Sequence, residues 1–144
     1  MNENQIPYET ADMEADVLIA QKQNVHVIST DSDYLFHKNV VALHRFKLSV
    51  YSKLVSIVST LKSDILVKLN LDSNKWTLLG IVNKNDYNGN INGYGLVKNF
   101  KKIKKLRVSR SISALLKGYC LTFRPPAQVN TFGNSLSIFG SQRV

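Results

Sequence analysis

A short apolar run, Val25 to Ser29, constrains the fold of this chain more than any other stretch. The run is rich in β-branched residues, has polar residues on both sides, and follows an apolar helical tract over Ala15 to Ala20. This pattern is typical of a buried parallel strand rather than of a strand with one face in water. The sequence therefore predicts the α/β class with a parallel sheet at its core.

Carboxylates lie at positions where ligands commonly bind in such folds. Asp31 and Asp33 follow directly after the predicted strand, and the carboxyl ends of strands are the ligand-binding edge of open α/β sheets. Their i, i+2 spacing lets both side chains face one point from an extended segment. Glu14 and Asp16 lie at a helix start, although positions i and i+2 do not face each other within a helix. Asp86 ends another apolar run, and we expect all five acids to converge as metal ligands and catalytic residues.

Five carboxylates cannot stay ionised together without compensation, because their like charges would raise the pKa values of the group. Carboxylate oxygens suit hard cations such as Mg²⁺ or Mn²⁺ better than zinc. Two such ions can activate a water molecule and stabilise the leaving oxygen in phosphodiester hydrolysis. This chemistry requires no Ser, His or Cys nucleophile, and none is evident in the sequence.

The rest of the chain predicts short elements joined by turns. Asp12 is expected to cap the first helix, and residues 47–61 fit a helical stripe as well as a strand. The other expected elements are a strand over 39–46, helices that start near 63, 72, 96 and 111, a turn-rich hairpin over 88–95, and a closing helix over 135–139.

Charge divides the chain into two parts. All ten acidic residues lie at or before Asp86, whereas the segment after it carries lysines and arginines only, within a net charge of +9. Such asymmetry favours a polyanion as partner, although a basic surface that only aids solubility has the same composition. A Gly-x-Gly turn before a basic helix can offer backbone N–H groups to a phosphate. The expected DNA-binding residues are Gly93, Tyr94, Gly95, Lys98, Lys101, Lys102, Lys104 and Lys105.

Several classes of protein are disfavoured. Cys120 is the single cysteine, so the chain has no disulfide framework and no zinc-type spacing, which fits a reduced intracellular compartment. The start of the chain lacks the features of a signal peptide, and no apolar run is long enough to cross a membrane. His26 is expected to be a core or rim residue, and His37 and His44 are isolated in the sequence.

Three motifs together resemble the internal domain of the XPG/flap-endonuclease family of structure-specific 5′ nucleases. Residues 11–16 are similar to the family's acidic helix start, and residues 29–33 to its D-x-D strand end. Residues 79–87 and then 90–95 are similar to its (S/N)-D-Y…I-x-G-x-G segment. The resemblance covers roughly residues 7–106, and the order and spacing of the motifs agree.

This resemblance implies a PIN-like α/β fold, two Mg²⁺ or Mn²⁺ ions, cleavage of DNA near 5′ ends or flaps, and a nuclear location. It implies a division into a metal-binding part over 1–86, a helix–two-turn–helix DNA-binding part over 87–124, and a tail over 125–144. It also implies that Gly93 to Gly95 hold the DNA duplex, with a monovalent cation such as K⁺ at this hairpin.

The sequence departs from the family in three places. Asp16 stands where the family usually has Glu, and the run from there to Asp31 is shorter than usual. The family also has an amino-terminal region with further aspartates, of which no counterpart precedes Glu9. We therefore expect a partial sheet with an exposed edge or apolar surface, completed by a missing segment or a partner. The alternatives to a nuclease are an inactive DNA-binding remnant and a purely structural basic domain.

Overall fold

The computed structural model describes residues 6–12 and 14–140. Met13, within the acidic motif at 11–16, lies outside the described residues, as do 1–5 and 141–144. The strands are β1 (Val25–Ile28), β2 (Val40–Ser49) and β3 (Leu54–Leu61). The helices are α1 (Ala15–Gln21), α2 (Lys62–Leu69), α3 (Ser73–Val82), α4 (Leu96–Lys104), α5 (Ile112–Leu121) and α6 (Gly133–Phe139), with 3₁₀ turns at Asp33–Phe36 and Val129–Phe132.

The described strands form one mixed sheet in the order β1-β2-β3. β1 pairs with β2 in parallel as predicted, and the α/β class is confirmed. The prediction that this strand is buried is wrong for one face, because His26 and Ile28 are exposed at the edge of the sheet. The prediction of a parallel sheet core holds for the pair of β1 and β2 only, because β2 and β3 are antiparallel. The turn over 50–53 explains the difference: so short a connection can join antiparallel strands but not parallel ones.

Two local predictions need correction, and one open alternative is decided. The 47–61 segment, which fitted both a helix and a strand, forms strand and turn. The first helix begins at Ala15 with Glu14 at its N-cap, so Asp12 lies too far upstream to cap it. The expected hairpin over 88–95 is a series of turns without paired strands, in which Gly93 has a φ of 77°.

Helix α3 is the central element of the core. Asp72 caps it, and not the alternative Ser73, since the Asp72 side chain accepts a hydrogen bond from the N–H of Lys75 at 2.9 Å. All eight residues from 75 to 82 are buried, and a side chain at Gly80 would overlap Phe36 of the first 3₁₀ turn. The indole of Trp76 donates to the carbonyl of Leu35 at 2.8 Å. These contacts fix the turn that carries Asp33 against the helix that leads to Asp86.

The outer halves of β2 and β3 form a two-stranded ribbon that projects beyond the core. Large apolar side chains on it are exposed, and Tyr51 at its tip is fully so. The exposed apolar residues of the ribbon are Phe46, Leu48, Val50, Tyr51, Leu54, Val55, Ile57 and Val58. Among the described residues, no helix combines the length and the apolar character that crossing a membrane requires.

Candidate functional site

The aspartates after β1 form a local turn. The N–H of Asp33 donates to Oδ1 of Asp31 at 2.9 Å, and the N–H of Asp31 donates to Oγ of Ser29 at 3.0 Å. Such side-chain-to-backbone bonds are the usual means by which Asp and Ser hold a turn. Asp31 stays exposed and Asp33 is half-buried, so the D-x-D segment presents two carboxylates at the carboxyl end of β1.

Asp33 lies within electrostatic range of three other predicted acids. Burial is the largest factor that raises the pKa of Asp33, and the negative charges of Asp31, Asp86 and Asp16 raise it further. These residues come from the start of α1, the end of β1 and the loop after α3. The fold therefore places acids from three separate segments within electrostatic range of Asp33.

Two tyrosine hydroxyls bind the carboxylates of Glu14 and Asp16. Tyr34 donates to Oδ1 of Asp16 at 2.5 Å. Tyr87 donates to Oε2 of Glu14 at 3.1 Å and to Oδ2 of Asp16 at 3.2 Å. Both tyrosine pKa values are raised, first by burial and then by the adjoining carboxylates. Neither tyrosine was among the candidate residues from the sequence; their positions directly after Asp33 and Asp86 were the available signal.

The donor chemistry of this cluster fits Mg²⁺ or Mn²⁺. Over residues 6–12 and 14–140, no group of three or more His, Cys, Asp or Glu side chains is already arranged to hold a metal ion. The neighbouring ligands are nevertheless all carboxylate oxygens, which hard divalent cations prefer. A bound cation would also relieve the repulsion that raises the pKa of Asp33.

Asparagine amides hold the loop that presents Asp86. Oδ1 of Asn85 accepts hydrogen bonds from the N–H groups of Tyr87 and Asn88 at 2.9 and 3.1 Å. The Asn85 amide donates to the carbonyl of Gly80 at 2.9 Å, which ties the loop to the end of α3. Asp86 itself is exposed at the bend of this loop.

The turn before α4 leaves the start of that helix open. Gly95 is the N-cap residue, and no side chain caps it. Its carbonyl accepts from the N–H of Asn99 at 3.0 Å, whereas the N–H groups of the first turn have no partner within the helix. A Cβ added at Gly95 would meet no atom within 4 Å, so a ligand could approach the backbone closely there.

One face of α4 is basic. Its lysines recur at the i, i+3, i+4 and i+7 positions of a single helical face, and with Tyr94, Leu106 and Thr122 they line a shallow groove of about 450 Å³. The Nζ atom of Lys102 lies 4.4 Å from the ring centroid of Phe123 and 5.3 Å from that of Tyr94. The lysines of this face, the basic face hereafter, are Lys98, Lys101, Lys102 and Lys105.

Lys104, which the sequence grouped with these residues, lies on another side of the helix. Its Nζ atom donates to the carbonyl of Leu69 at 3.3 Å and lies 5.6 Å from the ring centroid of Phe100. It therefore contacts the end of α2 rather than the groove.

A buried asparagine that sequence reasoning missed connects the basic face to the acidic loop. Asn99 is fully buried in α4. Its amide donates to Oδ1 of Asn83 at 3.0 Å and to the carbonyl of Tyr94 at 3.2 Å. Its own Oδ1 accepts from the hydroxyl of Tyr119 at 2.7 Å. The polar residue at an inward position of an amphipathic helix was the only signal.

Comparison with protein-family models gives no match, and no curated protein matches the chain significantly in sequence.

Proposed function

We propose that this protein is a divalent-metal-dependent 5′ nuclease of DNA, with a PIN-like fold and the activity of a flap endonuclease or exonuclease. The observation that carries the proposal is the position of Asp33, which is half-buried just after the carboxyl end of β1 and within electrostatic range of Asp16, Asp31 and Asp86. The acids come from distant parts of the chain, so their meeting is a property of the fold and not of local composition. Further support is the basic face on α4, which carries charge of the opposite sign.

In this proposal Asp31, Asp33 and Asp86 bind the ions, and Asp16 and Glu14 complete the ligand set. Mg²⁺ or Mn²⁺, when bound, supplies the positive charge that lowers the pKa of a water molecule and stabilises the leaving oxygen. Tyr34 and Tyr87 fix the orientation of the Asp16 carboxylate through their hydroxyl groups. The turn at Asp31 fixes the backbone between the two aspartates.

DNA binding in this proposal belongs to the turn before α4 and to the basic face. The open N–H groups after Gly95 would donate to a backbone phosphate, and the lysines would contact neighbouring phosphates without reading bases. Carbonyls of the Gly93 to Gly95 turn would hold K⁺, and a nuclear location would follow from such a substrate. Tyr94, whose ring lies below Lys102, would support the same groove.

A second candidate is a DNA-binding protein without catalytic activity. It is favoured by one observation, which is that tyrosine hydroxyls already bind both oxygens of Asp16. In that candidate the acids serve the fold, and the basic face alone carries the function.

Cleavage of labelled 5′-flap DNA by the purified chain in Mn²⁺ distinguishes the two candidates. The nuclease requires cleavage that depends on the metal and is lost in Asp31→Asn, a variant that retains Oδ1 as acceptor for the Asp33 N–H. Asp31→Ala should lose cleavage equally, and both variants should bind DNA nearly as well as the parent chain.

Asp64→Asn is the matched control, because it removes one exposed carboxylate from the first turn of α2. It should cleave normally. Binding without cleavage by the parent chain would favour the second candidate, whereas cleavage that persists in Asp31→Asn would refute the assignment of the metal ligands.

A further inference from the structure

A chain of polar side chains crosses all three strands and includes none of the predicted acids. Nδ1 of His26 on β1 lies 3.0 Å from Nε2 of His44 on β2. Nδ1 of His44 lies 2.7 Å from Oγ of Ser59 on β3. The sequence showed His44 as isolated, and the strand register explains the contact: Ser59 is directly opposite His44, and His26 is opposite Ala42, two residues away.

The two imidazoles are aligned end to end. Their planes differ by 8° and their centroids are 5.3 Å apart. The distance between the centroids exceeds the 3.0 Å distance between the two nitrogens by about the sum of the two ring radii. The nitrogens therefore lie on the line that joins the centroids, and the two rings lie in nearly one plane. Rings stacked face to face could not have this geometry. The two nitrogens point at each other and not at a common third point, which suits one N–H···N hydrogen bond better than a metal ion.

The hydrogen bonds of this chain can run in either direction, because each imidazole nitrogen can donate or accept. In the direction that activates the serine, Ser59 donates its O–H to Nδ1 of His44, and Nε2–H of His44 donates to Nδ1 of His26. His26 then carries its own proton on Nε2, at the exposed end of the chain. In this arrangement His44 is placed as a general base for Ser59, and His26 fixes the tautomer of His44.

The backbone of Ser59 adds a donor for a developing negative charge. The carbonyl of His44 accepts from the N–H of Ser29, so the polar backbone groups of His44 face β1. His44 and Ser59 are therefore a non-hydrogen-bonded pair, in which side chains approach most closely. The N–H of Ser59 consequently faces away from β2, and no described strand lies beyond β3. A nucleophile's own N–H is a common oxyanion donor.

The same face of the ribbon offers an apolar surface beside Ser59. Strand alternation places Ile57 and Leu61 on the side of Ser59, and Phe46, opposite Ile57, lies beside them. The Phe46 side chain is 54% exposed and that of Ile57 is 59% exposed. These side chains could hold the apolar part of a substrate while its reactive group lies at Ser59.

We propose that Ser59 is an activated nucleophile that accepts the acyl group of an ester with an apolar acyl chain. Oγ of Ser59 forms a bond to the acyl carbon while its proton moves to Nδ1 of His44, and the N–H of Ser59 stabilises the oxyanion. The bond from the acyl carbon to the leaving alcohol then breaks, and the alcohol takes the proton from His44. Water, deprotonated by His44, hydrolyses the acyl-serine and restores the site.

The test uses p-nitrophenyl butyrate with the full chain, with release of p-nitrophenol followed in time and the acylated peptide identified by mass spectrometry. We expect acylation of Ser59 and loss of that product in Ser59→Ala. His44→Asn should lower the acylation rate by about 10²- to 10⁴-fold, the usual contribution of a general base. Ser56→Ala should leave the rate unchanged, since Ser56 is an exposed serine of the same strand on the opposite face.

His26 is a positioning residue, and its variants separate that role from a structural one. Asn can accept from Nε2–H of His44 in place of the imidazole Nδ1, whereas Leu cannot. We therefore expect His26→Asn to retain more of the acylation rate than His26→Leu, with a pH profile closer to that of the parent chain. Equal acylation of Ser56 and Ser59, no acylation at all, or a rate unaffected by His44→Asn would each overturn the proposal.

Discussion

Neutralising the basic face of α4 should reduce the salt dependence of DNA binding by a predictable amount. Substituting all of its lysines by glutamine removes four charges while preserving most of each apolar stem. If each lysine contacts one phosphate, the slope of log K against log salt should become less negative by about 3 to 4. Over the range from 50 to 200 mM salt, the parent chain should then lose about a hundredfold more affinity than the variant.

Lys104→Gln is the control for this measurement. Lys104 lies on the same helix, but its ammonium contacts the carbonyl of Leu69 at 3.3 Å instead of the groove. Fluorescence anisotropy with a flap duplex at several KCl concentrations gives the slope for each protein. The control should change the slope by less than about 1, the expected contribution of a single phosphate contact.

The fourfold variant should remain folded. Lys98 and Lys102 donate to the carbonyls of Gly93 and Thr122 at 2.8 and 3.5 Å, but these are exposed contacts, whose loss usually changes stability by less than about 0.5 kcal/mol each. Thermal melting by circular dichroism checks this. A folded variant with the parent slope, or a control with an equal change in slope, would refute the assignment of the basic face as the DNA contact.

Three further predictions concern single positions. Burial and neighbouring carboxylates raise the pKa of Asp33 above 3.8, so the ionised form of this residue destabilises the fold. Asp33→Asn should therefore have a higher Tm than the parent chain at pH 7 and lose this advantage below pH 3. The same variant should show a smaller Tm gain on adding Mn²⁺ than the parent chain does. Tyr119→Phe should cost about 1–3 kcal/mol in urea unfolding, because it leaves Oδ1 of the buried Asn99 without its 2.7 Å donor. Gly95→Ala should leave stability nearly unchanged but weaken DNA binding, and equal binding by this variant and the parent chain would exclude close approach of a phosphate at Gly95. Gly93→Ala, by contrast, should destabilise the fold by about 1–2 kcal/mol, because Gly93 has a φ of 77°.

Local signals in the sequence were enough to predict much of the architecture. The β-branched run at Val25 predicted β1, the capping residues near Asp72 predicted α3, and the amphipathic pattern after Gly95 predicted α4. Each signal lies within a few residues of the structure it determines. The 47–61 segment could not be resolved in this way, because its valines and leucines fit both periodicities until the turn at 50–53 and the pairing with β2 are known.

Contacts between residues that are distant in the sequence were harder to predict. The meeting of His26, His44 and Ser59 depends on the register of two strand pairs, which no local pattern reveals. The tyrosine hydroxyls on Asp16 depend likewise on how the 3₁₀ turn and the loop after α3 pack against α1. The expectation that acids meet rested on where each lay along its own element, and such reasoning identifies the acids without identifying the neutral groups that bind them.

The buried amide of Asn99 gives the acidic and basic parts a fixed relation. It joins α4 to Asn83 at the end of α3, two residues before the Asn85 loop that presents Asp86. The hydroxyl of Tyr119 holds the same amide from α5, so three helices constrain it. In a nuclease, the distance between the phosphates bound by the basic residues and the phosphodiester at the metal site determines where the DNA is cleaved. A satisfied, buried polar network is suited to fix that distance, because any alternative packing would leave its members unpaired at a cost of about 1–3 kcal/mol each.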